Sequence, residues 1–142
     1  MNKLIETIDL TKVYGEKETS VTALNSITTA FNENQFTAIM GPSGSGKSTL
    51  LHCLAGLDKV TSGSILINGI DLASLNDKEL TKMRRDSFGF VFQAFNLIPT
   101  LTAEENITLP SSIAGRKPED EWVEQVINAM DIGDRLGHRP NE

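Results

Sequence analysis

The sequence predicts an α/β fold built around a phosphate-binding loop, and three observations carry that prediction. The run Gly41-Pro42-Ser43-Gly44-Ser45-Gly46-Lys47-Ser48-Thr49 fits the pattern G-x-x-x-x-G-K-[ST]. An apolar stretch of strand length, residues 35–40, leads into it, and residues 48–55 follow it with helical apolar spacing and no breaker before Gly56. Strand-like and helix-like segments then alternate to the end of the chain.

Residues 4–10 set Leu4, Glu6, Ile8 and Leu10 in imperfect alternation, and residues 21–31 are rich in small and β-prone side chains. They read as two strands joined by the polar loop 15–20. Asn32-Glu33-Asn34 turns the chain into the strand that feeds the phosphate loop. Ser62-Gly63 breaks the pattern, residues 64–67 read as a strand, and Asn68-Gly69 is a strong hairpin-turn signal. Leu80 and Met83 among charged neighbours predict a short surface helix over 76–85, capped by Asn76 or Ser74. Residues 88–93 read as a strand with Phe88, Phe90 and Phe92 on one face and Gln93 at the carboxyl end, where ligands of open α/β sheets gather. Thr102-Ala103-Glu104-Glu105 is a capping box, so a helix starts there, with Pro110 set to bend or interrupt it and Gly115 to break it. After Pro118, acids at 119–121 open a last helix whose apolar stripe is Trp122, Val123, Val126, Ile127 and Met130, a packing surface rather than a cofactor box.

In a strand-loop-helix of this kind the glycines let the backbone curl with its N–H groups inward, and the first turn of the helix adds its positive dipole end. The loop therefore predicts binding of a nucleoside triphosphate. Lys47 is placed to reach the outer phosphates, and the Ser48 hydroxyl is the expected Mg²⁺ ligand, with phosphate oxygens and waters completing the octahedron.

The 142 residues amount to about one domain, with 39% hydrophobic content. Thirteen basic against 19 acidic residues leave a formal charge of −6 without a basic stripe, which argues against a nucleic-acid partner. The single Cys53 falls in the apolar face of the helix after the loop. It cannot form an intrachain disulfide, and a buried thiol in a reducing, cytoplasmic compartment fits. No signal peptide or membrane-spanning run is legible, so any membrane contact is expected through a partner.

Taken together, Tyr14 after the first strand, the loop 41–49, Phe90-Val91-Phe92-Gln93 leading into Asn96-Leu97-Ile98-Pro99-Thr100-Leu101-Thr102, and Glu105-Asn106-Ile107 resemble the nucleotide-binding domain of ATP-binding cassette (ABC) transporters. The wording of 21–24, 86–93 and 137–142 is most similar to the branch serving macrolide export, lipoprotein release and antimicrobial-peptide resistance. The resemblance runs the length of the chain. It implies a P-loop NTPase fold, a partial ABC ATPase domain with a mixed β-sheet core, N-terminal antiparallel strands and part of the helical subdomain. Residues 1–93 would belong to the catalytic core and 94–142 to the glutamine loop and the start of the helical subdomain.

Residue by residue, the resemblance implies that Tyr14 stacks on adenine and that Gly41 to Thr49 cradle ATP. It makes Lys47 a stabiliser of phosphate charge and Ser48 a Mg²⁺ ligand. Gln93 would contact Mg²⁺ and the attacking water and sense the γ-phosphate, an amide being able to turn donor or acceptor. Residues 94–102 would touch a membrane permease through Phe95, Leu97, Ile98 and Leu101. A second ATP-binding domain would complete the site in a head-to-tail dimer, peripheral at the inner face of the cell membrane.

The family's glycine-rich signature helix, its apolar strand ending in Asp and Glu, and its switch histidine do not occur in the 142 residues. The resemblance therefore implies the N-terminal portion of such a domain, able to seat ATP-Mg²⁺ but lacking the groups that hydrolyse it. His138 is in the wrong place for the switch, His52 reads as packing or exposed, and Asp86-Ser87-Phe88-Gly89 matches the D-x-x-G of GTPases only by coincidence. Two other functions compete with ATP-driven transport: an ATP-gated regulator of a membrane protein on the same fold, and a small P-loop kinase. The kinase calls for an Arg-rich lid, and residues 95–115 contain no Arg.

Overall fold

The structure, a computed structural model, describes residues 2–142. They form two compact units, the first running to Phe88 and the second from Gly89 to Glu142. Gln93 thus falls in the second unit.

The first unit is an antiparallel sheet covered by a helix. Strands β1 (Lys3–Tyr14) and β2 (Val21–Asn32) pair along most of their length, joined through a short 3₁₀ turn at Lys17–Thr19. Strand β3 (Ser62–Ile67) adds to the other side of β1, and the Asn68-Gly69 turn returns it as the two-residue β4 (Ile70–Asp71), giving the order β2-β1-β3-β4. Alternate side chains of the sheet point to one face. There Leu10, Leu24, Ile65 and Ile67 are buried. Helix α1 (Lys47–Leu54) lays Leu50, Cys53 and Leu54 on that face, the i, i+3, i+4 spacing of one helical stripe. It ends in a Schellman arrangement, with the Gly56 N–H donating to the Cys53 carbonyl at 2.9 Å and the Leu57 N–H to the His52 carbonyl at 2.8 Å. Helix α2 (Asp77–Ser87) has the expected N-terminus: the Asn76 side chain accepts from Lys78 and Glu79 N–H, and Glu79 returns a bond to Asn76 N–H. It contributes Met83 to the core.

The second unit holds α3 (Ala103–Ile113) and α4 (Asp120–Met130). The Thr102–Glu105 capping box forms as expected. Pro110 does not interrupt α3, which continues to Ile113; the ring costs only the bond its missing N–H would have made to Asn106. Asn106 instead spends its side chain on the preceding loop, accepting from Ile98 N–H at 2.8 Å and donating to the carbonyls of Ile98, Leu101 and Thr102. In α4 the apolar stripe is present but only Ile127 is buried, and Trp122 and Met130 remain exposed.

The α/β class holds, but every ladder among the described residues is antiparallel. The parallel part of the expected mixed sheet is not formed. Residues 35–40 and 88–93, both read as strands, make no ladder, and Phe36 and Val91 are 98% and 96% exposed. An apolar run becomes a strand only when neighbouring strands take up its N–H and C=O groups, and neither run is paired in the four-stranded sheet. The three phenylalanines accordingly share no strand face. Phe88 caps the C-terminus of α2 and packs on the first unit's core, while the rings of Phe90 and Phe92 meet at a tilt of 46° with centroids 4.5 Å apart.

Candidate functional site

Helix α1 starts without a side-chain cap. Its N-cap is Gly46, whose carbonyl accepts from Leu50 N–H at 2.8 Å, and the first N–H groups of the helix have no partner within it. Helices α2 and α3, by contrast, close their N-termini with capping boxes. The loop ahead of α1 turns on itself through a Ser45 N–H to Pro42 carbonyl bond of 3.3 Å. Gly46 takes the left-handed conformation, φ 88°, and a Cβ there would lie 2.4 Å from the Ala23 carbonyl of β2. The loop is therefore pressed against the sheet at Gly46. Gly44, at φ 78°, has open space where its Cβ would stand.

Into this curl the Lys47 ammonium folds back, donating to the Gly41 carbonyl at 3.0 Å, the Pro42 carbonyl at 2.7 Å and Ser45 Oγ at 3.4 Å. A cation is thus held beside an uncapped helix N-terminus, with the Ser48 side chain next along the helix and exposed. This set fits a polyphosphate: amide donors, a dipole end and one ammonium, with room at Gly44 for the backbone to approach an anion. For Mg²⁺ the fit is narrower. No group of three or more His, Cys, Asp or Glu converges among the described residues, so Ser48 Oγ would be the protein's donor here and the bound phosphates would supply others.

Tyr14 stands at the end of β1 and is 41% exposed. Its phenol donates to Asp58 Oδ2, and the Lys12 ammonium stands 4.6 Å from the ring centroid while donating to Asp58 Oδ1 and to the Lys59 carbonyl, each at 2.6 Å. Lys12 and Asp58 were not singled out by the sequence. The legible signal was that Lys12 follows buried Leu10 by two residues, a charge on the core-facing side of a strand; the partner 46 residues away leaves no local trace.

The bond from Lys12, then that from Tyr14, holds the Asp58 carboxyl below its usual range. The same bond to Asp58 raises Lys12 against the opposing effect of burial, and acceptance by Asp58 keeps the proton on Tyr14. A depressed carboxyl contributes stability that is present above its unfolded pKa, about 3.9, and lost as pH falls through the folded value. A raised lysine contributes below about 10.4 and loses its contribution as pH rises through its folded value. The stability difference between the wild type and Asp58→Asn should therefore be level from about pH 5 to 9 and shrink below about pH 4. Urea midpoints of both proteins across that range measure it; a difference that grows in acid would contradict the pairing.

Gln93 lies in the second unit, exposed in a bend. Phe95 and Leu97 of the following loop are exposed, and Asn106 fixes the backbone behind them.

The profile of the family described as ABC transporter matches residues 24–142. The chain is 45% identical over 139 residues to the macrolide export ATP-binding/permease protein MacB of Marinobacter nauticus, covering 96% of this chain and 22% of that protein. It is 42% identical to the lipoprotein-releasing system ATP-binding protein LolD of Geobacter metallireducens, over all of this chain and 64% of that one. Among solved structures it is similar to the ATP-binding cassette MJ0796 in a dimeric post-hydrolysis state bound to ADP and Pi, with a TM-score of 0.83 and 40% identity over 96% of this chain and 62% of that one. The chain thus spans less than two thirds of the length of these relatives.

Proposed function

The chain belongs to the ABC transporter family, and from that premise we propose that it forms the ATP-binding part of a transporter ATPase of the macrolide-export and lipoprotein-release type. The observation that carries the reading is the Lys47 ammonium gathered onto the Gly41 and Pro42 carbonyls at the uncapped start of α1. A charge so placed meets the outer phosphates of a triphosphate, while the loop N–H groups take the inner ones. Tyr14 offers a flat face to adenine, Ser48 a hydroxyl to Mg²⁺, and Gln93 an amide to the metal and the water beside the γ-phosphate. We assign binding, rather than turnover, to these 142 residues.

Coupling runs through 94–102, whose exposed Phe95 and Leu97 suit the cytoplasmic helices of a permease. A second ATP-binding domain completes the site from the opposite side, as the dimeric state of the MJ0796 cassette suggests. The chain sits at the inner face of the membrane against that permease; no helix among its described residues is long and apolar enough to cross a membrane.

Titration of the chain with nucleotides in the presence of Mg²⁺ tests the reading. ATP should bind at least about 100-fold more tightly than AMP, since Lys47 and the loop amides answer to the outer phosphates. Equal affinity for the two, or no binding of ATP, would remove it.

A further inference from the structure

We infer that Lys12 and Asp58 are positioning residues for nucleotide binding: together they fix the Tyr14 ring so that its free face is set for the adenine. The inference rests on the reading of Tyr14 as the base-stacking residue.

Tyr14 is the last residue of β1 and 41% exposed, a position from which an untethered ring would sample several rotamers. Two contacts restrict it. Its hydroxyl donates to Asp58 Oδ2, and the Lys12 ammonium stands over one face at 4.6 Å from the centroid. The ammonium has no freedom to leave, because Lys12 is 9% exposed and its Nζ is held at 2.6 Å by both Asp58 Oδ1 and the Lys59 carbonyl. Asp58 therefore uses one oxygen on the cation and the other on the phenol, and the two bonds lock each other. With one face closed by Lys12, a base is left the opposite face.

The tether also sets where that face lies. Asp58 lies just beyond the end of α1, whose first turn carries Lys47 and Ser48. Through Asp58 the ring is thus tied to the helix that carries the phosphate loop, so the separation of the base-stacking face and the phosphate cradle is fixed before ligand arrives. A nucleotide then avoids the cost of ordering the ring, and that saving applies only to ligands that carry a base.

This last property separates positioning from a general structural role. The measured quantity is the ratio of the dissociation constants of inorganic tripolyphosphate and ATP, each with Mg²⁺, on the whole chain. Tyr14→Ala should bring the ratio close to that of a ligand pair with no base contact; if it leaves the ratio unchanged, Tyr14 does not stack on the base and the underlying reading fails. Given that loss, Asp58→Asn and Lys12→Met should each lower the ratio about fivefold while tripolyphosphate binds as to the wild type. Tyr14→Phe, which keeps the ring and the Lys12–Asp58 pair but removes the tether, should lower it about threefold and decides the matter should the charge variants not fold. Tyr14 is the only tyrosine, so its near-ultraviolet titration reports the tether directly and should move to lower pH in Asp58→Asn. An unchanged ratio in Tyr14→Phe and in the folded charge variants, or an equal loss for both ligands, would overturn the positioning role.

Discussion

Replacing Lys47 with alanine should weaken ATP binding by about 100-fold or more, on the order of 3 kcal/mol, from the loss of charge-assisted bonds each worth about 1.5 to 3 kcal/mol. The side chain is half-buried and its three observed partners all lie within its own loop, at Gly41, Pro42 and Ser45. Its removal therefore takes the cation from the phosphate site without touching the sheet or the apolar face of α1, which rests on Leu50, Cys53 and Leu54. Binding should collapse while the urea midpoint shifts little. Lys47→Arg should recover only part of the affinity, because a planar guanidinium cannot fold onto the Gly41 and Pro42 carbonyls as a compact ammonium does. Calorimetric titration with ATP-Mg²⁺ and parallel unfolding curves separate the two effects. A variant that retains wild-type affinity would mean that the loop amides alone hold the triphosphate.

Signals that were local in sequence proved the most legible. The glycine pattern ahead of α1, the Asn76 and Thr102 caps, the Asn68-Gly69 turn and the apolar stripe of α1 each concern residues within a turn of one another, and each is found where the spacing puts it. Strand formation depends on partners remote in sequence, and there the reading failed. Residues 35–40 have strand composition, yet Phe36 and Met40 stand exposed in a run that pairs with no described strand. Residues 88–93 form no strand for a further reason: Phe88 finishes the capping of α2, with its N–H on the Arg84 carbonyl at 3.2 Å, so its backbone donor serves the helix end and not a ladder. The stripe of α4 was legible, but the exposure of Trp122 and Met130 was not, since periodicity gives the apolar face of a helix and not its neighbour. The same limit hid the Lys12–Asp58 pair behind Tyr14. The identity of Tyr14 is written in one residue, whereas its orientation depends on Lys12 of β1 and on Asp58 past the end of α1.

The second large effect is expected at Gly46, where alanine should cost about 3 kcal/mol or more of stability in the first unit. A left-handed conformation at φ 88° costs an L-residue about 1 to 2 kcal/mol by itself. The added Cβ would also stand 2.4 Å from the Ala23 carbonyl and 3.1 Å from Leu24 Cδ2, and the first of these is backbone inside β2 that cannot swing aside. Relief requires the start of α1 to lift from the sheet, which opens the packing of buried Leu24 and Leu54. Gly44→Ala provides the contrast. Its φ of 78° carries a similar conformational strain, but nothing lies within 4 Å of the new Cβ, so its stability loss should stay near about 1 kcal/mol. Its methyl group would instead occupy the space through which the loop backbone approaches an anion, and ATP affinity should fall although the unit remains folded. Hydrogen exchange of the β2 and α1 amides, read beside ATP titrations, distinguishes the two: Gly46→Ala should lose protection and binding together, Gly44→Ala binding alone. Equal protection in both variants would show that the loop is not wedged against β2, and the rigid link between phosphate cradle and sheet would have to be abandoned.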